Sequence, residues 1–184
     1  MSARIEALLR RNETLVGVLE RARELGLPGW YVTAGAVYQT VWNGLTGRAP
    51  AVGIRDYDLS YHDDSDLSWE AEDAVIRRAA EVFEADVEVR NQARVHLWYE
   101  EKWGLPCPPH PSTEAAIATF PATGACIGAR LEADGTLRLH TAYGTDDLLA
   151  LVVRPNRVLA PREVYETKAA RWSQQWPELV VLPW

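Results

Sequence analysis

The run Asp56-Tyr57-Asp58-Leu59-Ser60-Tyr61 alternates polar and apolar residues at every step, a period of two that belongs to an extended strand with one buried face. On such a strand Asp56, Asp58 and Ser60 point one way, and Tyr57, Leu59 and Tyr61 point the other. Two carboxylates therefore stand side by side. Left unpaired they repel and one holds its proton too tightly, a conflict that a divalent cation between them removes. A second acidic strand is expected at residues 85–90, where Asp86, Glu88 and Arg90 share a face opposite Val87 and Val89. With a helix between the two strands, the crossover can lay them side by side and bring Glu88 to the aspartate pair. The plainer reading makes Asp56 and Asp58 turn or capping residues. Against it, an apolar strand and an Ala-Gly-Ala turn precede the pair and a second acidic strand follows, the setting of metal-assisted phosphoryl transfer.

The flanking segments supply the rest of an α/β (α+β) domain. Ile5, Leu8, Leu9, Leu15, Val16 and Leu19 recur at helical spacing over residues 3–25, with Asn12 interrupting the stripe and Gly26 and Pro28 ending it. Trp30 to Ala34 favours a strand that runs into Gly35, and a helix from Ala36 buries Val37, Val41, Trp42 and Leu45. Asn43-Gly44 and residues 47–50 punctuate the connection onward. His62 to Asp66 lacks the glycine and distal glutamate of a calcium loop, so it reads as a polar entry to a helix capped by Ser68 and reaching Phe83. Four prolines between Pro106 and Pro111 separate residues 1–105, which carry the chemistry, from a supporting half over 106–184 within a single domain. There Ser112 caps a short helix, and Ala133-Asp134-Gly135 turns a hairpin of 125–131 and 137–141. Thr145 caps a helix carrying Leu148, Leu149, Leu151 and Val152 as far as Arg154. Pro161 opens a final helix with Tyr165, Ala169, Trp172 and Trp176 on one stripe.

Composition narrows the partners. A hydrophobic fraction of 47% with 24% charged residues fits a globular chain, and the formal net charge of -7 argues against nucleic acid as a partner. All but two of the 19 basic residues are arginines, which suit bidentate phosphate contacts. Two cysteines, Cys107 and Cys126, make no disulfide framework, and a zinc set would have to recruit them with His110 and His96 or His140. No signal core opens the chain and no run reaches membrane-spanning length, so no membrane association and a cytoplasmic location are expected.

Other side chains read two ways. If residues 91–99 are extended, Arg94 and His96 share a face and can bind a triphosphate or an acceptor; otherwise Arg94 pairs with a structural carboxylate and His96 is bonded in the core. Trp42, Trp172 and Trp176 fall on helical apolar stripes and are expected in the core, which leaves Trp98 and Trp103 for exposure. Lys168 and Arg171 read as a solvated helix face.

Trp30 to Ala36, Gln39 to Asn43, Asp56-Tyr57-Asp58, Asn91 to Trp98, Ser112-Thr113, Asp146 to Leu148 and Val153-Arg154-Pro155 together resemble the small bacterial nucleotidyltransferase family proteins, which belong with the polymerase-β-like nucleotidyltransferases. The resemblance implies a polymerase-β-type nucleotidyltransferase fold, a mixed β-sheet flanked by helices. It implies Mg²⁺, or Mn²⁺, held by Asp56, Asp58 and a third carboxylate, for which Glu88 is chosen with Asp86 as the alternate. It implies a nucleoside triphosphate as substrate, with backbone N–H groups at Gly35 and Ala36 approaching its phosphates and an NMP passing to a small-molecule or protein acceptor. Alanine at 36 stands where serine or glycine is usual, which removes a hydroxyl and leaves the backbone donors. The alternatives are a low-activity nucleotide-binding regulator or toxin–antitoxin component of the same fold, and a metal-dependent phosphohydrolase.

Overall fold

A computed structural model describes residues 2–184. The N-terminal apolar stripe folds as two helices, α1 (Ser2–Leu9) and α2 (Glu13–Leu25), rather than the single helix expected. Asn12 makes the break: its side chain caps α2 by accepting from the Leu15 N–H at 3.1 Å and donates to Thr40 Oγ1 at 2.8 Å. Gly26, at φ 68°, closes α2 in a left-handed cap that favours glycine.

Five strands, β1 (Tyr31–Thr33), β2 (Tyr57–Tyr61), β3 (Val87–Asn91), β4 (Ile127–Leu131) and β5 (Leu137–Thr141), form one mixed sheet in the order β3-β2-β1-β4-β5. β2 and β3 run parallel across the expected helical crossover, α4 (Trp69–Val82), which Ser68 caps through the Ala71 N–H. β1 pairs antiparallel with both β2 and β4, so the sheet takes strands from both sides of the proline-rich loop. Val32, Leu59, Val89 and Ala129 are buried on one face of the sheet, and α2 and α4 add their apolar residues to the same core. The other face carries Thr33, Asp58, Ser60, Glu88 and Arg90, by the register Thr33↔Asp58 and Asp58↔Glu88. Its far end is closed by a smaller core of Tyr31, Ile117 and Cys126. There Gly128 allows a close approach, since a Cβ would stand 2.9 Å from the Ile117 Cδ1.

Helix α3 (Gly35–Leu45) and helix α8 (Arg162–Gln175) are locked by aromatic rings. Trp42 meets Trp172 edge-on at 5.6 Å and Trp176 at 5.4 Å, and Tyr38 meets Trp172 at 5.3 Å. Such pairs add about 0.5–1.5 kcal/mol each beyond their buried area. Asn43, read from sequence as a break, is instead fully buried inside α3. Its Nδ2 donates to the Pro50 and Val52 carbonyls at 3.0 and 2.8 Å, and its Oδ1 accepts from Trp176 Nε1 at 2.9 Å.

Three short helices complete the chain: α5 (Tyr99–Trp103), α6 (Thr113–Ile117), capped by Ser112 as expected, and α7 (Asp146–Leu149). The helix expected to continue to Arg154 stops at Leu149. Val152–Val153 form β6, paired in parallel with β7 (Val180–Val181). Among the described residues no helix is long and apolar enough to cross a membrane.

Candidate active site

Above the polar face of the sheet opens a cleft of about 690 Å³. Asp58 stands on its floor on β2, beside Glu88 on the edge strand β3. Burial is the first cause that pushes the Asp58 carboxyl from the usual 3.8 up to about 7; the Asp56 and then the Glu88 charges add to it. Asp86 is exposed just outside β3, where its carbonyl accepts from the Tyr57 N–H at 2.9 Å. Glu88, the chosen third carboxylate, is thus the acid of that strand facing Asp58.

The floor is braced by a layer of uncharged polar groups. Thr33 Oγ1 lies 3.1 Å from Ser60 Oγ, and Gln92 Nε2 donates to the same Ser60 oxygen at 3.3 Å. From the opposite wall, α8 sends Lys168 into the cleft. Burial, and then the neighbouring Arg171, lower the lysine's affinity for its proton, while Asp58 and Asp56 pull the other way; Lys168 in turn restrains the rise at Asp58. The sequence placed Lys168 on a solvated face. It lies on the same stripe as Tyr165 and Trp172, three and four residues away, which bury that side of the helix.

At the turn between β1 and α3, Ala34 rather than Gly35 has the unusual backbone, with φ 52° and ψ -138°. A non-glycine residue there costs on the order of 1–3 kcal/mol, and such outliers gather at functional sites. Thr33 and Ala34 line the cleft, whereas Gly35 starts the helix beside them and Ala36 is buried. The first N–H groups of any helix lack intrahelical acceptors, and those of Gly35 and Ala36 are the first of α3.

Residues 92–97 form a 3-10 helix instead of an extended segment, so Arg94 and His96 do not share a face. Asn91 sets the turn: its Oδ1 accepts from Ala93 N–H at 3.1 Å and Asp63 N–H at 3.0 Å. Arg94 lines the cleft but is buried in an ion pair with Glu72, donates to the Leu67 carbonyl at 3.0 Å and stacks over Trp69 at 5.6 Å. Glu72 also accepts from the Asn91 N–H at 2.8 Å. Arg94 therefore has the structural partner that sequence reasoning offered as its second reading. His96 does not line the cleft, and its buried Nδ1 has no partner. The cysteines do not assemble the zinc set: Cys107 Sγ lies 3.8 Å from His110 Nε2, while Cys126 donates to the Phe120 and Ala122 carbonyls.

The donor chemistry suits a hard divalent cation, because Asp56, Asp58 and Glu88 offer carboxylate oxygens around a charge that burial leaves undercompensated. Among the described residues no three His, Cys, Asp or Glu side chains already stand in metal-holding spacing. Glu88 instead turns to Arg90 at 2.7 Å in a half-exposed pair, an interaction weak enough to exchange.

Residues 20–181 match the model of a family described as nucleotidyltransferase. Among solved structures, an NMR structure described as revealing a CCA-adding enzyme head domain superposes with a TM-score of 0.81 at 24% identity, covering 100% of this chain and 96% of that one. At that identity the likeness is one of fold. No curated protein matches the sequence significantly.

Proposed function

From the premise that this chain belongs to the nucleotidyltransferase family, we propose that it transfers an NMP from a nucleoside triphosphate to a small-molecule or protein acceptor, with Mg²⁺ or Mn²⁺ held by Asp56, Asp58 and Glu88. The acceptor hydroxyl bonds through its oxygen to the α-phosphorus and gives up its proton to water, the bond from that phosphorus to the bridging oxygen breaks, and pyrophosphate leaves. When bound, the cation supplies charge neutralisation on the phosphates and orientation for in-line attack. The chain's own groups do the rest. The Lys168 ammonium faces the carboxylates across the cleft and meets the charge that collects on the triphosphate. Backbone donors at Gly35 and Ala36 meet the phosphates at the edge beside Ala34. Arg94 fixes the cleft wall through Glu72, and Arg90 is freed when Glu88 turns inward. Two free cysteines, Cys107 and Cys126, suit a reducing cytoplasm.

The observation that carries this reading is the strand register that sets Asp58 beside Glu88 on the floor of the cleft, with Lys168 lining the same cleft from α8. The test is incubation with labelled NTPs, Mg²⁺ or Mn²⁺ and a cell lysate. Label passes to an acceptor, and transfer is lost in Asp56→Ala and Asp58→Ala. Tight NTP binding without transfer would instead identify a nucleotide-binding regulator, and phosphate release without an acceptor a phosphohydrolase.

A further inference from the structure

One wall of the cleft stands outside the buried core. None of the five residues of α5 is buried, and Trp98, just before it, and Trp103, at its end, keep 37% and 39% of their surface exposed while lining the cleft. Exposed apolar side chains scattered singly need no explanation, but two indoles on the same cleft wall do. Lys102 stands over both rings, its Nζ 5.5 Å from the Trp98 centroid and 5.1 Å from that of Trp103. Among the described residues it takes no part in any ion pair. Tyr99 Oη donates to the Leu159 carbonyl at 3.4 Å and ties the wall to the segment leading into α8. The cleft thus offers two indoles with a cation held over them, outside any ion pair among the described residues, at one wall and the acidic cluster on its floor.

We propose that this wall is a nucleotide subsite, in which Trp98 or Trp103 stacks a nucleobase and Lys102 meets the phosphate attached to it. Every base presents a π face, so stacking on an indole tolerates any of them, and the positive charge above the rings selects a base that carries an anion over a neutral aromatic. A single lysine on a chain of net charge -7 fits one short anionic group and not a long polyanion. The transfer reading bears only on which nucleotide arrives, the NTP itself or a nucleotide acceptor.

The probes are AMP, adenosine and ribose 5-phosphate, titrated without metal into the full chain and followed by tryptophan emission and calorimetry. AMP binds and quenches the emission, adenosine binds more weakly, and ribose 5-phosphate leaves the emission unchanged. Trp98→Leu with Trp103→Leu weakens AMP by roughly tenfold or more. Lys102→Gln weakens AMP while leaving adenosine where it was, a split that a merely structural lysine would not produce and one that remains readable if the double variant misfolds. The proposal is overturned if AMP does not bind, or binds wild type and variants alike. Repeating the AMP titration with Mg²⁺ and NTP separates the sources: displacement assigns the wall to the NTP base, and simultaneous binding assigns it to the acceptor. AMP binding that persists in a protein transferring no label would sink the transferase reading and leave the subsite standing.

Discussion

Replacing Asp58 by asparagine should stabilise the fold while abolishing transfer, and the gain should depend on pH in a defined way. In the folded chain the Asp58 carboxyl is pushed from 3.8 up to about 7, chiefly by burial and then by Asp56 and Glu88. A group whose proton affinity rises on folding favours the folded state below its unfolded pKa and loses that contribution as pH rises through the folded one. Between pH 3.8 and about 7 the unfolded chain sheds a proton that the native chain keeps, so native stability falls over that window. At about 1.36 kcal/mol for each tenfold change in proton affinity, the loss relative to a permanently neutral side chain reaches about 4 kcal/mol above pH 7 and less than half of that at pH 5. The substituted amide carries no titrating proton, so the variant escapes this loss. Urea unfolding of wild type and Asp58→Asn at pH 5 and pH 8 reads the difference directly, with the variant's advantage larger at pH 8. Adding Mg²⁺ at pH 8 should narrow that advantage by favouring wild type with Asp58 ionised. Equal stabilities at pH 8, or an advantage unchanged between the two pH values, would refute the picture of an undercompensated, partly buried carboxyl.

Lys168→Met should lower label transfer and NTP affinity by at least about tenfold, since a desolvated cation facing the phosphates is lost; parallel titration with NMP should show a smaller loss. Glu72→Gln should cost about 3–5 kcal/mol because it strands the buried Arg94 charge, and adding Arg94→Met to it should recover part of that loss in denaturant unfolding. Asn12→Ala removes the α2 cap and the buried bond to Thr40, and should lower unfolding free energy by about 2 kcal/mol with the transfer rate per folded molecule unchanged.

What could be read in advance follows a physical divide. Alternation from Asp56 to Tyr61 and the helix after Ser68 are local patterns, and they produced β2, α4 and a parallel β3 in register with Asp58 facing Glu88. Non-local pairing was hidden: Val152 and Val153 looked like helix because the partner that makes them strand, Val180–Val181, lies far along the chain. The same holds for the Thr33, Ser60 and Gln92 layer, which only the sheet register assembles. Two local signals in the chain do point to the observed structure. Asn91 could already bond its own following backbone, which favours a turn at 92–97 over an extended run. Lys168, flanked on its helix by Tyr165, Ala169 and Trp172, sat on an apolar stripe where a solvated lysine would be out of place.

Asn43 has a consequence for how the acidic cluster can evolve. Because its amide grips Pro50, Val52 and Trp176 together, the approach to Asp56 is measured from that anchor and not by counting residues from Gly35. The exposed bend at Gly47, with φ 72°, is then a place where the chain can gain or shed length without displacing the aspartates. Removing Trp176 would have the opposite effect, unmooring Asn43 and the segment 50–52 that leads to Asp56 from the end of α8.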